Sequence, residues 1–130
     1  MRTDLSISGG NSVSLVKGGD LGDLIKPMIR EIHLFDSFIA GTTHLSEQTP
    51  LQEMQKGDEL TLQREDNQFD TNAILLLDAR KRKTGYVPEK DNVIFARLMD
   101  AGKLLKAKVS DMEPRGSFTL IRIGIYLVDL

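Results

Sequence analysis

Residues 60–77, LTLQREDNQFDTNAILLL, read as two strands and the turn between them. Leu60 and Leu62 alternate with polar neighbours, the period of a strand with one buried face. The alternation then gives way to a mostly polar stretch around a single aromatic, Phe69. It resumes as the continuous apolar run Ala73–Leu77, which is the pattern of a strand covered on both sides. A chain that pairs a half-buried strand with a fully buried one, joined by a long polar turn, points to a mainly β fold.

The turn itself admits two readings. Asn67, Asp70 and Asn72 are side chains that bond their own backbone and tolerate unusual φ/ψ, so the stretch suits a long turn with Phe69 folded back onto the protein. The other reading leaves the ring outside. A loop aromatic flanked by a carboxylate and amides can stack on a base while its neighbours bond the base edge or a sugar hydroxyl. Phosphate repels a carboxylate, so Asp70 then suits a strand terminus with a free hydroxyl.

Outward from this stretch, IHLFDSFIAGT (residues 32–42) reads as a strand running into a turn at Gly41. SEQTPLQEMQKGDE (46–59) reads as a polar connection holding a helical turn, with Leu51 and Met54 as its buried pegs. RKRK (80–83) makes a basic hairpin tip, and TGYVP (84–88) a short strand ended by Pro88. EKDNVIFARLMDAG (89–102) is a helix by its spacing, with Val93, Ile94, Leu98 and Ala101 expected on the core face and Gly102 as its C-terminal cap. KLLKAKVSDM and SFTLIRIGIYLVDL are expected as two final strands joined at EPRG (113–116). Towards the N-terminus, residues 1–20 are rich in Gly and Ser and read as a flexible arm with a short strand near Val13–Val16. DLGDLIKPMIREI (20–32) has helical spacing interrupted by Pro27. The sum is a mainly β fold with minor α: a small OB-like β-barrel of about six strands with one or two packed helices. The domain division expected is 1–31 as an N-terminal extension and 32–130 as the barrel.

Composition narrows the classes. The chain has 130 residues, net charge −2 and no cysteine, so disulfides, thiolate catalysis and cysteine-ligated zinc are excluded. No apolar run approaches a membrane span and no secretory h-region opens the chain, so a cytoplasmic protein is expected. Charge is uneven: residues 1–79 carry 13 Asp/Glu against 6 Lys/Arg, and residues 80–122 carry 11 Lys/Arg against 5 Asp/Glu. That asymmetry suits a basic face.

Catalytic motifs fail one by one. His33 and His44 are the only histidines. A calcium loop starting at Asp66 would place Thr71 where Gly is required and Leu77 where a bidentate Glu is required. The glycines of VKGGDLGD lack a phosphate-cradling lysine. Adjacent carboxylates such as Glu65–Asp66 face opposite ways on a strand. No cofactor and no enzymatic activity are expected.

The spacing L-x-R-E-x-N-x-F-D-x-N-A-I, followed by GYVP and a helix and closed by SFTLIRIGIYL, resembles the HIRAN domain over about residues 32–128. The resemblance implies an OB-like barrel that holds the 3′ end of single-stranded DNA, found both fused to fork-remodelling motors and nucleases and as a stand-alone bacterial protein. It implies that Phe69 and Phe118 stack on bases, that Asp70 accepts the terminal hydroxyl, and that Asn67 belongs to the same loop. Thr43 and His44 stand where motor-fused members carry an Arg-Tyr pair. Tyr86 stands where a phosphate-binding His is found, and Glu89 near an expected Lys, which leaves Lys83, Lys90 or Arg115 to supply positive charge. The expected partner is a single-stranded DNA end, in repair or replication-fork processing. A motor or nuclease partner and self-association remain open, with no membrane. The competing expectation is a protein-interaction or oligomerisation barrel that binds no nucleic acid.

Overall fold

The computed structural model describes residues 29–129. The expected strand near Val13–Val16 and most of the expected helix over 20–32 lie outside the described residues. The part of that helix that is described, from Arg30 on, is instead extended: it opens β1, Arg30–Phe38. A 3-10 turn (Thr42–His44) and a one-turn helix α1 (Thr49–Gln52) follow. Next come β2 (Glu59–Arg64), β3 (Ile74–Leu77), β4 (Lys83–Tyr86), helix α2 (Asn92–Asp100), β5 (Leu105–Arg115) and β6 (Phe118–Asp129). The fold is mainly β, as the sequence pattern predicts.

The six strands form one sheet in the order β1-β6-β5-β2-β3-β4. Every pairing from β6 through β4 is antiparallel. Just past β1, Ala40 exchanges backbone hydrogen bonds with Tyr86 on β4, at 2.8 and 2.9 Å. The two edge strands are thereby tied together, as an OB-like barrel requires. The close approach depends on Gly85: its φ is +144°, and a Cβ there would lie 2.5 Å from both the Ala40 oxygen and Ile39 Cγ2. No side chain fits that gap.

Alternation in β2 buries Leu60 and Leu62, while all four residues of β3 are buried. Leu76, Ile123 and Ile125 have no exposed surface, and Ile39, Val87, Phe95, Ala107, Val109 and Ile121 complete the centre. Each such Val, Leu, Ile or Phe side chain contributes about 1.5–3 kcal/mol by leaving water. Met54 is buried and Leu51 packs against the core, the two pegs expected of α1.

Two local expectations are corrected. On α2 the buried residues are Asn92, Phe95 and Ala96, whereas Val93 and Ile94 are 46% and 63% exposed and Ala101 is exposed as well. Only Leu98 of the expected stripe packs on the core, beside Met99. The helix starts at Asn92, and its first turn faces the 65–72 loop, so a polar contact sets the rotation there. At the other end, Gly102 (φ +91°) does terminate it: the amides of Gly102 and Lys103 bond the carbonyls of Met99 and Leu98, the double bond of a Schellman ending. The second correction concerns β5 and β6. Glu113, Pro114 and Arg115 are paired residues, opposite Leu120, Thr119 and Phe118. The turn is Gly116–Ser117, made possible by φ +62° at Gly116. The extra residue at Val109/Asp111 lies on β5; β6 alternates unbroken with Ile121, Ile123 and Ile125 inside, and Phe118 at its start is 43% exposed.

The charge asymmetry is largely spent inside the fold. Glu31 bonds Lys106 and Lys108, Glu59 bonds Lys106, and Glu53 and Asp78 bond Arg82. Hydrogen bonds from the two ammoniums hold the Glu31 carboxyl at about 2. In the basic tip, Asp78 accepts the amides of Arg80 and Arg82 and the Arg82 Nε. Burial opposes ionisation of Asp78, but those bonds hold its carboxyl below the usual range. Arg82 is therefore a brace of the tip, while Arg80, Lys81 and Lys83 form no ion pair.

Candidate nucleic-acid interface

The 65–72 loop is a built structure. The amide of Glu65 bonds the Ala73 carbonyl at 3.1 Å and closes its neck. Asn67 Oδ1 accepts the Phe69 amide at 2.8 Å, and Asp70 Oδ1 accepts the Asn72 amide at 2.9 Å. These are successive Asx turns, each side chain substituting for a backbone acceptor two residues on. Arg64 braces the loop from below: its guanidinium donates to the Thr71 and Ala73 carbonyls and to Asp100 at the end of α2. The hydrogen bond to Asp100 also raises the Arg64 pKa.

Within this frame Phe69 is 86% exposed. The ring points into solvent, so the folded-back reading does not hold. Asp70 is turned the other way. Its Oδ2 accepts the Asn92 side-chain amide at 2.8 Å, so the loop docks on the first turn of α2. Asn92 is 1% exposed and its Oδ1 has no partner. Next to it, Asp91 accepts the Ser37 hydroxyl at 2.8 Å. Asp70 keeps acceptor capacity, because each carboxylate oxygen can take two donors.

Tyr86 links the loop to the other side of the site. Its hydroxyl donates to Glu65 at 2.9 Å, and Glu65 also accepts from Asn67 at 3.3 Å. Burial and then the Glu65 carboxylate push the Tyr86 pKa above its ordinary 10, so the phenol stays a donor. A Cβ on Gly41 would lie 3.7 Å from the Tyr86 ring. Gly41 takes φ +76° to start the 3-10 turn that carries Thr43 and His44. Those two residues, with Phe38, Phe118 and Leu120, line a cavity of about 300 Å³. Lys90 stands 5.9 Å from the centre of the Phe38 ring, within cation–π range.

Of the residues singled out in the sequence, Thr43, His44 and Phe118 therefore share one cavity, with Lys90 at its Phe38 wall. Asn67, Asp70 and Tyr86 are tied by the Glu65 and Asn92 contacts into the adjoining loop. Phe69 meets none of them. Arg64, Glu65 and Asn92 were not singled out. The spacing R-E-x-N held the first two, each needed to build the loop, whereas Asn92 carries no signal beyond its place in a helix. The charge here is negative. Glu65 and Asp70 belong to the site and Asp66, Glu89 and Asp91 flank it, against Arg64 below the loop and Lys90, which stands 3.7 Å from Asp91. Among the described residues, no cluster of His, Asp and Glu could hold a metal ion. No helix among them is long and apolar enough to cross a membrane.

The family model for the HIRAN domain matches residues 32–123. The chain belongs to the HIRAN domain family. HIRAN domains are known as DNA-binding modules. The same fold appears in the crystal structure of a protein from Lactobacillus plantarum, at a TM-score of 0.72 and 24% identity, covering 78% of this chain and 99% of that one. It appears also in the HIRAN domain of human HLTF, at a TM-score of 0.60 and 14% identity, covering 75% and 78%. No curated protein sequence matches the chain.

Proposed function

We propose that this HIRAN protein captures the 3′ end of single-stranded DNA, in repair or fork processing, without chemistry of its own. Phe69 stacks on the terminal base and Asp70 accepts the 3′-hydroxyl. Phe118, beside Thr43 and His44, stacks on the preceding base. Lys90 meets the phosphate between the two nucleotides, and Tyr86 keeps the loop against the 3-10 turn. The observation that carries this reading is the 86% exposure of Phe69 on a loop whose backbone is fixed by its own side chains. A large ring held in water by a frame of local hydrogen bonds is a surface on which a base can stack. The carboxylates around it support an end lacking phosphate over the interior of a strand.

Fluorescence anisotropy with short single strands ending in a 3′-hydroxyl or a 3′-phosphate tests the proposal. The hydroxyl strand is expected to bind at least about tenfold tighter, the scale of one charge-assisted hydrogen bond. Equal binding to both strands contradicts it. A protein-docking barrel is the second reading, favoured by Ile32 and Leu34, apolar residues of β1 that are 41% and 37% exposed. It predicts no binding to either strand. A motor or nuclease partner would act on the end that the module holds.

A further inference from the structure

Phe118 separates two hollows. One is the cavity against Thr43 and His44; the other, of about 640 Å³, lies between α1, the 3-10 turn and the β5–β6 turn. Its size falls within the ~300–1,000 Å³ range of ligand clefts. No charged side chain lines it. Apolar surface comes from Leu45, Leu51 and Ile121, with the Phe118 ring as the shared wall. Gln48 belongs to the wall, because its amide nitrogen is already committed to the Thr42 and Leu45 carbonyls. Gln52, one helical turn on, is different: its side-chain amide has no hydrogen-bond partner and is exposed on the rim. The hydroxyls of Thr43 and Ser117 are unpartnered in the same way.

An uncharged hollow with an aromatic wall and free amide and hydroxyl groups suits a nucleobase and not a phosphate. We propose that it takes an unpaired base adjacent to the captured end, laid against Phe118, with the Gln52 amide reading its edge. This rests on the end-capture reading and adds base preference to it. A glutamine amide offers one donor and one acceptor side by side, which matches adenine N7 and N6. In single strands such edges are free to be read. The proposal turns the N7/N6 edge, which a pyrimidine lacks, toward Gln52, so the predicted preference is adenine over thymine at the penultimate position.

The test compares anisotropy titrations of two 3′-hydroxyl strands that differ only in adenine or thymine at that position. The wild-type protein is expected to prefer adenine by at least about fivefold, the lower end for one bidentate base contact. Gln52→Ala is expected to bring the adenine strand down to the affinity of the thymine strand. Equal binding of both strands by the wild type, or a preference that survives Gln52→Ala, overturns the inference. If 3′-hydroxyl strands still outbind 3′-phosphate strands in that case, end capture stands without base reading. Absence of binding to any strand overturns both.

Discussion

The two walls of the site are built on opposite principles. On the loop wall, Asn67, Asp70, Glu65 and Asn92 are tied to one another or to backbone amides, and Arg64 braces the base of the loop. The Phe69 ring stands in solvent. On the other wall, the side chains of Thr43, Ser117 and Gln52 have no hydrogen-bond partners among the described residues, and Phe118 lies between two hollows. The first wall has its geometry set before any ligand arrives, which keeps the ordering cost of binding low. The second is uncharged, and its unpartnered hydroxyls can turn toward a ligand. On the end-capture proposal the contrast amounts to a division of labour: fixed acceptors for the terminus, adaptable surface for what precedes it.

The severest way to break the comparison is to separate the walls. Gly85→Ala places a Cβ on the Ala40 oxygen and Ile39 Cγ2 at a positive φ. Overpacking and backbone strain together predict a loss of about 3 kcal/mol or more, read by urea denaturation, with both walls lost at once. A wild-type midpoint would show that the bridge is not what joins them.

Phe69→Ala tests the loop wall alone. Because the ring is solvent-exposed, stability should stay within about 0.5 kcal/mol. Affinity for a 3′-hydroxyl strand should fall by about 1–3 kcal/mol, roughly 5- to 150-fold. Unchanged affinity would remove the stacking role.

Asn92→Ala sharpens the account of how the loop is fixed. It removes a bond to the Asp70 carboxylate but also an unpartnered buried oxygen, so the two effects partly offset. A net loss of about 1 kcal/mol is expected, with faster amide exchange confined to residues 65–73. Uniform acceleration across the barrel would place the role of Asn92 in the core instead.

The smallest effects are electrostatic. Glu31 has a depressed pKa in the folded state, so the stability it contributes is present above its ordinary 4.5 and is lost as pH falls towards about 2. Glu31→Gln should flatten that part of the stability profile and leave neutral pH nearly unchanged, since an exposed pair is screened by solvent. An acid limb identical to the wild type's would show that Lys106 and Lys108 do not hold it. Binding itself should depend only weakly on salt. With one or two phosphates near Lys90, log K should fall with log salt at a slope of about −0.7 to −1.4; a steep slope would point to a different, basic surface.

Much of this was legible in the sequence for identifiable reasons. Leu60 and Leu62 against the solid run at 74–77 predict β2 and β3, because side-chain period reports burial directly. The loop was legible because Asn67 and Asp70 bond locally, two residues on, and need no distant partner. What was hidden depended on contacts distant in sequence. Hydrophobicity alone puts Val93 and Ile94 inward, yet α2 is rotated to bury Asn92, whose partner Asp70 lies 22 positions away. The hollow beside Phe118 is assembled from three separate segments, and the turn at Gly116–Ser117 was masked by Pro114, which usually marks a turn and here is paired with Thr119. The basic second half suggested a basic face, but its Lys106, Lys108 and Arg82 find their carboxylates in the first half.

Nuclear magnetic resonance gives the most direct test of end capture by two walls. Backbone amide shifts should be followed as a short single strand with a 3′-hydroxyl is added. Shifts at residues 67–72 and, together with them, at 41–44 and 117–119 are the predicted result, with a 3′-phosphate strand producing little change. Shifts confined to one wall, or centred on Ile32–Phe35, would contradict the account.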